Sequence, residues 1–127
     1  MQEQHLYEYA IVRLVPRVER EEFINIGVVL YCAKAKFLEV KFEIDENKIQ
    51  VLHPDLDLEE LKQHLYIFEC ICKGLLCGSP IADLDLPSRF RWLTATRSTI
   101  LQSSKVHPGF SINPEETLKK LMREMVL

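Results

Sequence analysis

Residues 23–44, FINIGVVLYCAKAKFLEVKFEI, decide the fold, because they contain two strand-like segments joined by a short polar turn. In the segment from Phe37 to Ile44, apolar and charged residues alternate from Leu38 onward, which predicts a strand with one buried face. The segment from Phe23 to Cys32 predicts a second strand, one face of which carries Ile24, Ile26, Val28 and Leu30. The short connection favours antiparallel pairing of the two strands.

Other segments of the chain predict further strands. Tyr7 to Val15 alternates well enough to form a strand, which Pro16 ends. Phe90 to Ala95 and Ser98 to Gln102 predict two more extended segments, joined tightly at Thr96 and Arg97. With the pair in residues 23–44, these segments give about five strands.

Two segments are predicted to be helical. The first begins after Asp57, a capping residue, carries leucines at helical spacing and is expected to end near Gly78 and Pro80. Its second half, residues 66–76, is apolar nearly all round, so a homodimer contact is one way to cover it. The second helix begins at Pro114, behind the capping residue Asn113.

These elements predict a single α+β domain over residues 1–127. The expected architecture is an antiparallel sheet of about five strands with two helices in the order βββαββα, the helices packed on one face. Hydrophobic residues make up 47% of the chain and charged residues 28%, which is ordinary for a globular protein. No stretch approaches the ~18 apolar residues of a membrane-spanning helix, and the N-terminus lacks a signal-peptide pattern, so a cytoplasmic location and no membrane partner are expected.

The cysteines Cys32, Cys70, Cys72 and Cys77 fall within apolar segments. Their spacing does not fit a zinc or redox pair, so buried free thiols are expected. No glycine-rich phosphate loop or other cofactor fingerprint is present in the sequence, and we expect neither a metal nor a cofactor.

Positive charge is concentrated in two segments of a chain whose formal net charge is -3. The segment from Ser88 to Pro114 contains arginines and a lysine but no acidic residue, and an N-terminal segment from Arg13 to Tyr31 also contains three arginines, Arg13, Arg17 and Arg20. The planar arginine fork suits carboxylate and phosphate groups, so we expect an anion-binding or partner-binding surface. Its candidate residues are Arg13, Arg17, Arg20, Glu22, Asn25, Gly27, Arg89, Arg91, Trp92 and Arg97.

The same arginines have a purely architectural interpretation. Glu19, Glu21 and Glu22 are available as ion-pair partners, and the aromatic residues beside the arginines offer stacking. Single-stranded nucleic acid is a further alternative through the alternating Arg89-Phe90-Arg91-Trp92, although few cations are available to neutralise phosphates. A nucleotide or phosphate ligand therefore ranks above nucleic acid.

One face of the predicted sheet is expected to carry Tyr9, Arg13, Asn25, Gly27 and Tyr31. A glycine inside a strand indicates either a β-bulge or the close approach of a ligand or another backbone. The sequence leaves these alternatives open.

An enzyme acting on a phosphorylated or nucleotide substrate is the alternative from another functional class. His107 would serve as general base, with Ser98 or Thr99 helping to bind the substrate. No motif organises these residues into a known catalytic arrangement, so the sequence favours a binding or regulatory module over an enzyme.

Three stretches of the chain carry a family resemblance: YEYAIVRLVPRVEREEFINIGVVLYC at residues 7–32, SRFRWLTATRST at 88–99 and QSSKVHPG at 102–109. They resemble a bacterial family identified as domain of unknown function 3037, over nearly the whole chain. The resemblance implies no particular activity for this chain. It implies gene neighbourhoods that hold HipA-like kinases, hence a regulatory setting and a HipA-like kinase as a protein partner.

Overall fold

A computed structural model describes residues 3–75, 78–97 and 99–127 of the chain. These residues form five strands, four helices and two short 3-10 helices at Val18–Arg20 and Pro80–Asp83. The strands are β1 (His5–Leu14), β2 (Ile24–Cys32), β3 (Phe37–Phe42), β4 (Leu101–Ser103) and β5 (His107–Ser111). The helices are α1 (Glu46–Leu52), α2 (Leu58–Lys73), α3 (Leu86–Leu93) and α4 (Pro114–Met125).

The long strand β1 lies at the centre of an antiparallel sheet. On one side it pairs with β2, which in turn pairs with β3. On the other side β4 pairs with Val12 to Leu14, and β5 pairs with His5 to Tyr9. Between these two strands, Ser104 bonds to Ile11 through both its backbone N–H and its side-chain Oγ, each at 2.8 Å. The predicted α+β class and antiparallel sheet are confirmed.

A β-bulge interrupts the pairing of β1 with β2. Val12 lies opposite Gly27, whereas the next residue, Arg13, lies opposite Asn25, so Ile26 is the additional residue of β2. The bulge changes which side chains face which side of the sheet, because the alternation of a strand slips by one residue there. Ile24 and Ile26 therefore pack on the opposite face from Val28 and Leu30, and the prediction that these four share a face is wrong.

Helices cover both faces of the sheet. The helices α2 and α3 pack on the face that carries Ala10, Val12 and Leu14 of β1. The helix α4 packs on the other face, where its residues Leu118, Leu121 and Met122 contact β2. The prediction that the helices share one face is wrong, because β2 buries apolar side chains on both of its faces.

The two predicted helix starts are confirmed. Asp57 Oδ1 accepts hydrogen bonds from the backbone N–H groups of Glu59 and Glu60, at 3.0 and 3.2 Å. Asn113 Oδ1 accepts from Glu116 N at 3.3 Å, with Pro114 in the first turn. The helix α2 ends earlier than expected, because Gly74 adopts the left-handed conformation with φ of 69°.

The prediction of a strand from Phe90 to Ala95 is wrong, because residues 86–93 form helix α3. Asp85 caps this helix by accepting from Ser88 N at 2.9 Å, and Phe90 and Leu93 share its buried side at helical spacing. The predicted two-helix order βββαββα is replaced over the described residues by βββαααββα. The strand β5 begins at His107, in a segment for which the sequence predicted no strand.

In the described part of the chain, no helix combines the length and the apolar character that crossing a membrane requires.

Candidate functional site

The N-terminal arginines Arg17 and Arg20 lie on the surface, each paired with a nearby glutamate. Arg17 Nε is 3.1 Å from Glu19 Oε1, and Arg20 Nη2 is 2.5 Å from Glu22 Oε1. The side chains border a small cavity of about 200 Å³ that His53 also lines. Exposed pairs of this kind contribute only about 0–1 kcal/mol each, so these arginines remain available to exchange partners.

Arg13 and Asn25 lie opposite each other on the face covered by α4. The Arg13 guanidinium stacks over the Phe23 ring, 4.2 Å from its centroid, and Asn25 Nδ2 donates to the Met125 carbonyl at 3.1 Å. Arg13 Nε and Asn25 Oδ1 are both buried and have no hydrogen-bond partner among the described residues. Asn25 thus ties the sheet to the last turn of α4, and within the described ranges one polar atom of each residue has no partner.

Gly27 and Tyr31 lie on the other face, so the bulge separates them from Arg13 and Asn25. Tyr31 stacks on Phe90 with ring centroids 5.3 Å apart. A Cβ at Gly27 would lie 2.5 Å from the Lys41 carbonyl oxygen. The glycine therefore permits the close approach of a neighbouring strand, and the five residues expected on one face do not form one surface.

Arg89 extends from α3 to the C-terminus of α2. Its Nη1 donates to the carbonyl oxygens of Ile71 and Cys72, both at 2.9 Å. The last carbonyls of a helix have no partner within the helix and carry partial negative charge, which a guanidinium neutralises. Arg89 thus joins two helices. Arg91, on the same helix, is exposed, and its Nη2 donates to Ser88 Oγ at 3.5 Å.

Arg97 lies against Trp92 at the end of α3. Its guanidinium carbon is 3.7 Å from the indole centroid, and its Nη2 donates to the Trp92 carbonyl oxygen. Burial lowers the pKa of the Arg97 guanidinium. Among the described residues no carboxylate lies within ion-pair distance of Arg97. In the described part of the chain, this partly desolvated positive charge therefore has no negative group beside it.

A cavity of about 290 Å³ opens beside this pair, and we call it the Trp92–Arg97 cavity. The helices α2 and α3 and the segment around β4 line it, including His64, Ile67, Trp92, Arg97, Thr99 and Gln102. Thr99 Oγ1 donates to the Leu101 carbonyl oxygen at 2.7 Å, and Gln102 Nε2 donates to the Thr99 carbonyl oxygen at 3.0 Å. These bonds hold the polar wall of the cavity in place.

His64, Ile67 and Gln102 were not among the sequence candidates. His64 lies within 3.8 Å of Glu60, one helical turn earlier, and belongs to the cavity through α2. Ile67 is 42% exposed, which is unusual for an isoleucine in the middle of a core helix. Only the spacing of residues 64, 67 and 68 on one side of a helix could have indicated this wall.

The residues proposed for catalysis are not brought together by the described contacts. Thr99 lines the Trp92–Arg97 cavity, but His107 does not. His107 is exposed on β5, where its ring lies 5.4 Å from the ring of Tyr9. Ser98 lies outside the described residues. Glu22, which could orient a nearby imidazole, pairs with Arg20.

The described cysteines Cys32, Cys70 and Cys72 are buried free thiols, and Cys77 lies outside the described residues. Burial raises the pKa of the Cys72 thiol to about 12, which makes it a poor nucleophile in the folded protein. No group of three or more metal-ligating side chains comes together in the described ranges.

No curated protein and no solved structure matches the chain. The sequence model of the family described as "Protein of unknown function (DUF3037)" matches residues 9–126, and this span includes both basic segments and every strand that pairs with β1. Because the match covers nearly the whole chain, the protein belongs to the DUF3037 family.

Proposed function

We propose that the protein is a binding module that holds an anionic group in the Trp92–Arg97 cavity. The observation that carries the proposal is the unpaired, partly desolvated guanidinium of Arg97 at the wall of this cavity. Removing a charge from water is unfavourable unless an opposite charge or good hydrogen bonds compensate for it. A bound carboxylate or phosphate would supply the missing negative charge.

The indole of Trp92 supports the proposed role by fixing the orientation of the guanidinium. It covers one face of Arg97, and the Trp92 carbonyl accepts from one terminal nitrogen. The remaining donors of the planar fork stay available for a bidentate contact to a carboxylate or phosphate. Because stacking restricts the arginine before binding, less side-chain entropy is lost when an anion arrives.

The size of the cavity restricts the class of ligand. A volume of about 290 Å³ lies at the lower limit of ordinary small-molecule pockets. Such a space suits a single anionic head group with a few neighbouring atoms better than an entire nucleotide. We therefore propose that the group belongs to a partner protein or to a small phosphorylated molecule, and that the apolar wall at Ile67 contacts the atoms beside it.

The proposed setting is the bacterial cytoplasm and the proposed role is regulatory, through interaction with a partner. Reduced, unpaired thiols at Cys70 and Cys72 suit that compartment. The catalytic alternative receives less support, since His107 lies outside the cavity that contains Arg97 and Thr99.

The test is thermal unfolding with three probes: inorganic phosphate, a phosphoserine tetrapeptide and adenosine monophosphate. Sodium chloride at matched ionic strength controls for general screening. A probe at ~100 times its dissociation constant stabilises the folded state by about 2.7 kcal/mol, which raises the unfolding midpoint by several degrees. The probe that raises the unfolding midpoint identifies the source of the anionic group.

Three variants assign that shift to the cavity. Arg97→Ala should abolish it, and Arg97→Lys should weaken it, because an ammonium keeps the charge but loses the planar fork. Arg91→Ala is the matched control, since Arg91 is exposed and lies outside the cavity. A shift of equal size in Arg97→Ala, or no shift with any probe, would rule out this assignment of Arg97.

A further inference from the structure

The free edge of β3 lines a cavity that residues of α2 and α4 also line. β3 pairs with β2 on one side, and in the described residues no strand pairs with its other side. The cavity has a volume of about 780 Å³ and runs along Glu39 to Glu43 between α2 and α4. We call it the β3 groove. It shares no lining residue with the Trp92–Arg97 cavity, so the two sites are separate.

The backbone of β3 presents hydrogen-bonding groups to this groove that have no partner strand among residues 3–75, 78–97 and 99–127. Glu43 N donates to the Ile26 carbonyl oxygen at 2.8 Å, so the backbone groups of Glu43 face β2. In an antiparallel ladder the direction alternates from residue to residue, and the N–H and C=O groups of Leu38, Val40 and Phe42 therefore point away from β2. Such an edge is a template for an additional strand.

We propose that the β3 groove binds an extended peptide segment of a partner protein, which adds to the sheet as a strand. The peptide carries apolar side chains toward α2 and an acidic side chain opposite Lys41. This inference is independent of the anion site, since it rests on the edge of β3 and the walls of its groove.

The position of α2 determines that the occupant is a lone strand and not a second copy of the chain. The helix α2 packs on β3 itself, where the rings of Phe42 and Phe68 lie 5.7 Å apart. Adjacent strands lie about 4.7–4.9 Å apart, whereas packed helices need about 8–10 Å between their axes. Pairing β3 with β3 of a second copy would place the two α2 helices too close together. A peptide without its own helix avoids that clash.

The side chains of the groove differ between its two walls. Toward α2 the occupant meets Val40, Phe42 and Cys72, while Glu69 and Lys73 pair with each other at 3.0 Å. This wall therefore favours apolar side chains at alternate positions of the added strand.

Toward α4 the groove is charged. Lys41 lies between Glu39 and Glu43 along β3, and Arg123 lines the same cavity from α4. Within the described residues neither Lys41 nor Arg123 has a carboxylate at ion-pair distance. Opposite charges directly across two strands are favourable and like charges are unfavourable, so an acidic residue fits opposite Lys41.

Two blocked, fluorescent peptides test the proposal by anisotropy titration: TVEVTVT, and TVKVTVT, in which the charge at the third position is reversed. We expect the intact protein to bind the glutamate peptide about 3–10 times more tightly than the lysine peptide, as one or two partly exposed charge pairs would give. The variant Lys41→Glu should reverse that preference. Binding of neither peptide at millimolar concentration would overturn the proposal.

A second pair of variants tests the backbone hydrogen bonds. Val40→Pro removes an outward N–H at an edge position where proline is tolerated, and should weaken binding at least tenfold. Val40→Thr keeps the N–H and should bind within about threefold of the intact protein. Equal binding by both folded variants would overturn strand addition. If Val40→Pro does not fold, Lys41→Glu provides the test. The proposal is overturned if this variant still binds the glutamate peptide more tightly than the lysine peptide.

Sedimentation of the intact protein tests the alternative that a second copy of the chain, and not a lone peptide, occupies the groove. We expect a monomer at micromolar concentration. A dimer that Val40→Pro converts to a monomer would show that β3 pairs with a second copy, and would overturn the proposal of a lone peptide.

Discussion

Replacing Arg89 by alanine should be among the most destabilising changes at any charged residue of the chain. The side chain donates two hydrogen bonds at 2.9 Å to carbonyls at the end of α2. A hydrogen bond from an ionised donor contributes about 1.5–3 kcal/mol, and partial replacement by water recovers some of that after the substitution. We therefore expect Arg89→Ala to lower the free energy of unfolding by roughly 2–4 kcal/mol.

Urea unfolding measures this loss. For a domain of this size the slope is about 1–3 kcal/mol per molar urea, so the midpoint should fall by roughly 1–2 M. Arg89→Lys retains the charge at the helix end and should lose about half as much, because an ammonium lacks the planar fork.

Arg91→Ala is the matched control for this experiment. It removes the same side chain from the same helix, but Arg91 is exposed and bonds only to Ser88 Oγ among the described residues. We expect a change within about 0.5 kcal/mol. If Arg89→Ala and Arg91→Ala differ by less than that amount, the reasoning that Arg89 holds α2 and α3 together is refuted.

Three further predictions follow from buried positions. Gly27→Ala should destabilise by at least ~2 kcal/mol in urea unfolding, because its Cβ would lie 2.5 Å from the Lys41 carbonyl oxygen, and a neutral result would contradict the close approach of β3. Leu118 is 0% exposed, so Leu118→Ala should lower the free energy of unfolding by about 2–5 kcal/mol, whereas Lys120→Ala on the exposed side of α4 should change it little. Similar losses in the two variants would contradict the packing of α4 on the sheet. Burial raises the pKa of Cys72 to about 12 from a usual value near 9, so the unfolded chain loses this proton first and stability should fall as the pH rises from 9 toward 12. Cys72→Ala should reduce that slope between pH 9 and pH 11, and an unchanged slope would show that the thiol does not contribute.

The sequence predicted those elements whose local pattern agrees with their tertiary environment. The strand β3 alternates cleanly, and α4 has a cap, a proline in its first turn and an apolar stripe, so local and global preferences coincide. The sequence could not predict which side chains of β2 lie on which face of the sheet. The bulge at Ile26 shifts the alternation by one residue, and because both faces of β2 are apolar, the sequence pattern does not reveal that shift.

The candidate site was only partly predictable for a related reason. A short apolar segment such as that around Phe90 and Trp92 can form either a strand or a helix. Here the N-terminal cap at Asp85 favours the helix. As a helix, the segment directs Arg89 toward α2 while Arg97 stacks on Trp92. Charge composition identified the arginines, but their separate roles depend on contacts between residues far apart in sequence.

The pairing of β1 on both edges also has a consequence for synthesis of the chain. The residue that bonds to Ile11 between β4 and β5 is Ser104, 93 positions later in sequence. At translation rates of about 5–20 residues per second, one edge of β1 stays unpaired for roughly 3–12 seconds after β3, which ends at Phe42, has been made and β2 can pair with the other edge. During that interval the nascent hairpin of β1 and β2 offers an open strand edge, and chaperones or other nascent chains compete for it until the last quarter of the protein emerges from the ribosome.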